Sequence, residues 1–247
     1  MQLGIVGLPF SGKSTLFQAI TKTHLDTAAM AKTDAHLGVV KVPDERLDRC
    51  ASLFSPKSTV HATIEFVDVI GLQKGASGTA QFTTSFLSAV KNNDALIQVV
   101  RLFRNDAVPH PDGSIDPLRD VATFETEFIL ADMAVLESRV EKIHKQIGRG
   151  HDEQMKKELP VLEKCLALVR QEKPLRNEDL SPEELHILKT YQLLTLKPML
   201  IALSLDESQQ PMMEEEVGRV AAAKAGLRTR VIAFFGKIGR ASCRERV

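Results

Sequence analysis

Residues 7–14 read Gly-Leu-Pro-Phe-Ser-Gly-Lys-Ser and fit the pattern GxxxxGK[ST]. The setting makes the match informative. A short apolar run, Leu3 to Val6, precedes it, and a helical pattern from Lys13 to about Ile20 follows. A strand that feeds a glycine-containing loop into a helix N-terminus is built to cradle a phosphate chain. Gly7 and Gly12 permit the tight turn, and Leu8, Pro9, Phe10 and Ser11 fill it, with the loop N–H groups directed inward. Lys13 is expected to bridge the β- and γ-phosphates and is the catalytic candidate. Ser14 is expected to offer its hydroxyl to Mg²⁺, and Thr15 to reach the α-phosphate.

Further strands are expected at Leu37 to Val42, Ala62 to Val69, Ala95 to Phe103, Pro198 to Leu205 and Thr229 to Phe235. Helices at Phe82 to Val90 and Met212 to Ala225 alternate with them. This order predicts an α/β fold of the P-loop NTPase kind, a doubly wound, mostly parallel six-stranded sheet. From about Leu118 to Leu194 the alternation stops. Ile129, Met133, Leu136, Val140, Ile143 and Ile147 form one coiled-coil-like seam, and Met155, Leu159, Leu162, Leu166 and Val169 another. They predict an inserted antiparallel helical hairpin, with Pro160 kinking the second helix or marking its start. A shorter helix, Pro182 to Leu194, starts at Ser181 with Glu184 three residues on. The expected division is residues 1–117 and 196–237 for nucleotide binding and 118–195 for the hairpin.

A second element must hold the metal. Asp68-Val-Ile-Gly71 closes a hydrophobic strand as the DxxG of a nucleotide switch does. Asp68 would hold a water on Mg²⁺, and the Gly71 N–H would sense the γ-phosphate. The formal net charge of zero leaves no electrostatic footprint for nucleic acid in the total. Cys50, Cys165 and Cys243 form no CxxC, which argues against a zinc site and for a reducing, cytoplasmic setting. Cys50 and Cys165 fall on helical apolar patterns and are expected to be buried. The histidines form no HExxH and read as surface residues. No apolar run is long enough to span a membrane, and a monomer is expected.

The segments GIVGLPFSGKSTLF, GVVKVPDERLD, TIEFVDVIGLQKGAS, VVRLF, VLEKCL and LLTLKP together resemble the YchF/Obg-like ATPase family, of the translation-factor class of P-loop GTPases. The resemblance runs from residue 1 to about 237 and includes the hairpin. It implies slow hydrolysis of ATP or GTP with Mg²⁺ and association with ribosomes or ribosomal RNA. It also implies a C-terminal TGS-type domain, absent here. The last ten residues, Ile238 to Val247, resemble the translation of a sequencing-adapter oligonucleotide and are set aside. Where small GTPases carry a water-orienting Gln, this chain has Leu72. The stretch from Lys74 lacks most of the family's glycines. The switch-I threonine corresponds best to Thr33, a further metal-ligand candidate. The family's base-reading NxxE is similar to Ser204-Leu-Asp-Glu207, with Ser204 in place of Asn. Since no NKxD occurs, this implies ATP or mixed specificity. Asp206 and Glu207 are equally readable as solvated loop acids. A non-hydrolysing nucleotide-binding module, its hairpin docking a partner, is the alternative.

Overall fold

The computed structural model describes residues 1–22, 35–69, 83–105, 107–147, 153–224 and 226–236. Six strands form one sheet: β1 (Gln2–Gly7), β2 (Ala35–Lys41), β3 (Thr63–Val69), β4 (Ala95–Arg101), β5 (Met199–Leu205) and β6 (Thr229–Phe235). Their spatial order is β2-β3-β1-β4-β5-β6. Every neighbouring pair is parallel except β2–β3. Each strand read from the sequence is present within about two residues of its expected ends.

The central strands are apolar runs because helices cover both of their faces. Every residue of β4 is buried. On one face Val6, Leu96, Val100 and Leu203 meet Phe86 and Val90 of α3 (Thr84–Lys91), Val121, Phe124 and Phe128 of α4 (Pro117–Ile147), and Val220 of α7 (Met213–Lys224). On the other, Ile5, Ile97, Val99 and Ala202 meet Leu16 and Phe17 of α1 (Lys13–Thr21).

The helical interval is a hairpin of α4, 31 residues long, and α5 (Glu153–Arg170). Its seam is the expected one: Ile129, Leu136, Ile143, Leu162, Leu166 and Val169 are buried against each other, with Met133, Val140, Met155 and Leu159 flanking them. Ile147's side chain lies outside the described residues. Pro160 does not start α5, which begins at Glu153 and continues through it. The short helix α6 (Pro182–Leu188) has the expected capping box of Ser181 and Glu184, but ends sooner, in a 3₁₀ turn at Lys189–Tyr191. Helix α4 enters two cores. Its first turns pack on the sheet, and the rest pack on α5.

A buried charge knot ties this helix to the far edge of the sheet. Arg176, 2% exposed, pairs through Nη2 with Glu125 of α4. Its Nε donates to Thr229 Oγ1 of β6 at 3.0 Å. Lys224 of α7 donates to the same Glu125 at 2.9 Å.

One cysteine departs from its expected burial. The sequence put Cys50 on a helix, and helix α2 (Glu45–Phe54) is there, capped by Asp44. However, no residue of α2 is buried and Cys50 is exposed, because no described element covers its apolar stripe. Cys165 is buried as expected, and burial pushes its thiol up to about 11.

Candidate functional site

The phosphate loop leaves β1 at Gly7 and enters α1 at Lys13. Both glycines are required by their surroundings. A Cβ on Gly7 would stand 2.4 Å from the carbonyl oxygen of Val99 on the paired strand. Gly12, the N-cap of α1, is left-handed at φ 102, and a Cβ there would stand 3.0 Å from the Ser204 hydroxyl. No side chain caps α1, so its first N–H groups face the loop. Leu8 and Ser11 are buried, and the Ser11 hydroxyl has no partner.

Lys13 is only 8% exposed. Its ammonium donates to the carbonyl oxygens of Gly7 at 3.0 Å and Leu8 at 2.9 Å, so the loop is wrapped around it. Burial lowers its pKa to about 8, against the opposing pull of Asp68. Ser14, the next residue of α1, donates its hydroxyl to Asp68 Oδ2 at 2.9 Å. Asp68 stands near the end of β3, in register with Ile5 of β1. Its other oxygen, Oδ1, is buried without a partner. Burial raises the Asp68 carboxyl above the usual range, although the Ser14 hydrogen bond, Lys13 and His36 pull the other way. A buried carboxylate with an idle oxygen beside a hydroxyl is an all-oxygen donor pair suited to a hard divalent cation.

Ser204 lies next to Gly12, at the end of β5, and is buried. Its carbonyl accepts from the amides of Leu102 at 2.9 Å and Phe103 at 3.0 Å. Asp206 is the N-cap of the 3₁₀ turn Glu207–Met212 and accepts from the Glu207 N–H at 3.0 Å. Glu207 itself is exposed. Thr33, Gly71, Leu72, the stretch from Lys74 to residue 82 and residues 238–247 lie outside the described residues.

Three features escaped the sequence. Phe10 is 64% exposed and left-handed at φ 61, a conformation costly for a bulky residue, and the open positions of the motif carry no signal for it. The Arg101 guanidinium stacks on the Phe103 ring, 4.5 Å from its centroid, beside the loop. His110 is not a surface group, since its side chain is 4% exposed against Asp120. There the ring Nδ1 accepts from the Asp112 N–H at 3.1 Å, so Nε2 carries the proton toward Asp120 Oδ2 at 3.0 Å. Both nitrogens are thus engaged, although His110, Asp112 and Asp120 lie close enough to hold an ion.

These observations put an ammonium, a hydroxyl, a carboxylate and an uncapped helix N-terminus around one glycine loop. Residues 2–124 match the family described as "50S ribosome-binding GTPase". The ribosome-binding ATPase YchF of Bacillus subtilis is 38% identical over 95% of this chain and 65% of its own length. That of Escherichia coli O157:H7 is 39% identical over 90% of this chain and 62% of its own. The structure of the Schizosaccharomyces pombe YchF GTPase superimposes with a TM-score of 0.80 at 30% identity, covering 99% of this chain and 68% of that one. The chain belongs to the YchF family. It thus has the P-loop GTPase fold of that family, with six strands, one antiparallel pair and a long helical region. It spans less than two thirds of the length of these bacterial relatives. Among the described residues, no helix is long and apolar enough to cross a membrane.

Proposed function

We propose that this YchF-family chain binds ATP or GTP with Mg²⁺ and hydrolyses the β–γ bond slowly, as a cytoplasmic, monomeric switch that associates with the ribosome. The observation that carries the reading is the meeting of Ser14 and Asp68 at 2.9 Å, with Asp68 Oδ1 buried and idle, beside the Lys13 ammonium. Relatives of similar sequence are named ribosome-binding ATPases, which supports the partner.

When bound, Mg²⁺ would neutralise charge on the β- and γ-phosphates. Ser14 would turn its oxygen toward the metal, and Asp68 would accept from a metal-held water. Lys13 would exchange its two loop carbonyls for phosphate oxygens, a better partner for a buried cation. The first-turn N–H groups of α1 and the loop amides would hold the β-phosphate, with Thr15 at the α-phosphate. Thr33 and the Gly71 N–H would complete the metal and γ-phosphate shells. Leu72 offers no hydrogen bond to a water, so turnover is slow without outside help. Ser204 and Glu207 face the base, with ATP preferred. Residues 1–117 and 196–237 carry the nucleotide, and 118–195 present the hairpin to the partner.

Equilibrium titration of MgATP and MgGTP on the wild type and on Lys13→Ala tests this. Loss of tight binding in the variant is expected, and unchanged binding refutes the assignment. A second reading, a binding module that does not hydrolyse, is favoured by Leu72 and the glycine-poor stretch after Lys74. Single-turnover phosphate release decides between them: saturated nucleotide with no phosphate over hours establishes the module.

A further inference from the structure

Helix α3 is gripped at its C-terminal end by a residue far away in the chain. Lys197 is half-buried, and its ammonium donates to the carbonyl of Lys91, the last residue of α3, at 2.9 Å and to that of Asn93. The last carbonyls of a helix have no partner within it and carry its negative pole, so a cation seats well there. Asn93, 2% exposed, closes the same end by donating to the Ala89 carbonyl at 2.7 Å. Lys197 stands on the segment that leads from the hairpin back into β5, and the hairpin pins that segment. Asp132 of α4, 1% exposed, accepts from the amides of Leu194 at 2.8 Å and Thr195 at 2.7 Å, and from the Thr195 hydroxyl at 2.6 Å. A buried carboxylate held by three donors fixes the segment against the hairpin helix. Asp132, Thr195 and Lys197 are thus one clasp between α4 and the end of α3.

The consequence reaches the phosphate site through α3. Phe86 and Val90 of that helix share one core with Val67 and Val69 of β3, the neighbours of Asp68 on either side. Asp68 in turn meets Ser14 at the foot of the phosphate loop. Close-packed side chains cannot give way without opening voids, so a shift of α3 is passed to the strand beneath it. Helix α3 is also the helix that follows Asp68-Val-Ile-Gly71 in the chain. The clasp therefore holds the one helix that borders the metal-ligand strand and succeeds its motif.

We infer that Lys197 is a positioning residue for the metal end of the phosphate site: it ties α3, and through α3 the strand carrying Asp68, to Asp132 of the hairpin helix. A partner that moves the hairpin then changes how the metal of a bound nucleotide is held. This rests on the nucleotide reading above. The test titrates ATP onto the full chain, with Mg²⁺ and in excess chelator, for the wild type, Lys197→Met, Asp68→Asn and the double variant. A wild type that binds no ATP in either condition ends the nucleotide reading, and this inference with it. Where Mg²⁺ tightens wild-type binding, Lys197→Met should weaken ATP in Mg²⁺ by about fivefold or more and leave affinity in chelator within about twofold. Beside Asp68→Asn the same change should have no Mg²⁺-dependent effect, because the group it positions is gone. Thr195→Val removes one donor from Asp132 and leaves Lys197 in place. It should weaken ATP in the same Mg²⁺-dependent way, and it decides the matter if Lys197→Met does not fold. Equal losses with and without Mg²⁺, no loss, a loss undiminished beside Asp68→Asn, or a wild type whose ATP affinity Mg²⁺ leaves unchanged would overturn the inference.

Discussion

The Ser14 hydroxyl donates to the Asp68 carboxylate at 2.9 Å across 54 residues of chain, joining the first turn of α1 to the end of β3. The bond brings together the two metal-ligand candidates that two separate motifs nominate. It also uses only one of the carboxylate's oxygens.

Asp68→Asn should separate the cost of that carboxylate from its use. Burial raises the Asp68 carboxyl, so its charge destabilises the metal-free protein at neutral pH. The amide removes that charge, and metal-free melts should show a gain in Tm. Affinity for nucleotide in Mg²⁺ should fall by about tenfold or more, with no change in excess chelator. A loss that persists in chelator would contradict the assignment.

Lys13 gives a pH dependence of definite sign. Its pKa falls from 10.5 in the unfolded chain to about 8 when buried. Below pH 8 both states carry the proton, and the buried charge costs the fold a constant amount. Between pH 8 and 10.5 the unfolded state binds more protons, so this group's contribution makes stability rise with pH across that window. Binding a phosphate chain draws the proton back onto Lys13. Affinity should therefore decline as pH climbs through about 8, and calorimetry in buffers of different ionisation enthalpy should register proton uptake. Lys13→Met should abolish both effects.

Gly12 and Ser204 are coupled by contact. Gly12→Ala combines a left-handed backbone with a Cβ 3.0 Å from the Ser204 hydroxyl. Ser204→Ala leaves that Cβ an ordinary 3.6 Å contact with Cβ of residue 204. Denaturant unfolding of the two single variants and the double variant should give a double variant less destabilised than the sum, by about 0.5–1 kcal/mol. Strict additivity would mean that the two residues do not touch.

Phe10→Gly should stabilise the protein despite the entropy glycine adds to the unfolded chain. The left-handed φ of 61 costs a bulky side chain about 1–2 kcal/mol, and the ring is mostly exposed. A net gain of roughly 0.5–1 kcal/mol in denaturant midpoints is expected. A loss would show that the ring is held by contacts worth more than the strain.

Glu125→Ala leaves the buried Arg176 without its ion-pair partner. A loss of about 3–5 kcal/mol is expected, against a smaller loss when Arg176→Met removes the cation itself. Thermal melts rank the two, and the reverse order would argue against the knot.

Much of this was legible in the chain. Strands buried on both faces must be written as apolar runs, so Leu3 to Val6 and Ala95 to Phe103 announce themselves. The hairpin shows through a seam whose spacing only a helix satisfies. Direction is not written in such runs, and nothing in Leu37 to Val42 marks β2 as antiparallel. Burial is not written in helical spacing either, so the stripe holding Cys50 faces outward on α2. Local conformation was least visible. The enclosure of His110 by Asp120, the stacking of Arg101 on Phe103 and the left-handed turn at Phe10 are close in the chain, but residue types alone do not write the side-chain and backbone angles that make them.

Helix α4 is a single 31-residue rod seated at one end in the sheet and gripped along the rest by α5. At 1.5 Å per residue it reaches about 46 Å, so a tilt of about 5° at its foot would swing its far end by about 4 Å. Leverage of that kind works in both directions: a push on the outer turn from a large partner arrives at Val121 and Phe124 as a small, stiff displacement beneath the strands that carry the loop.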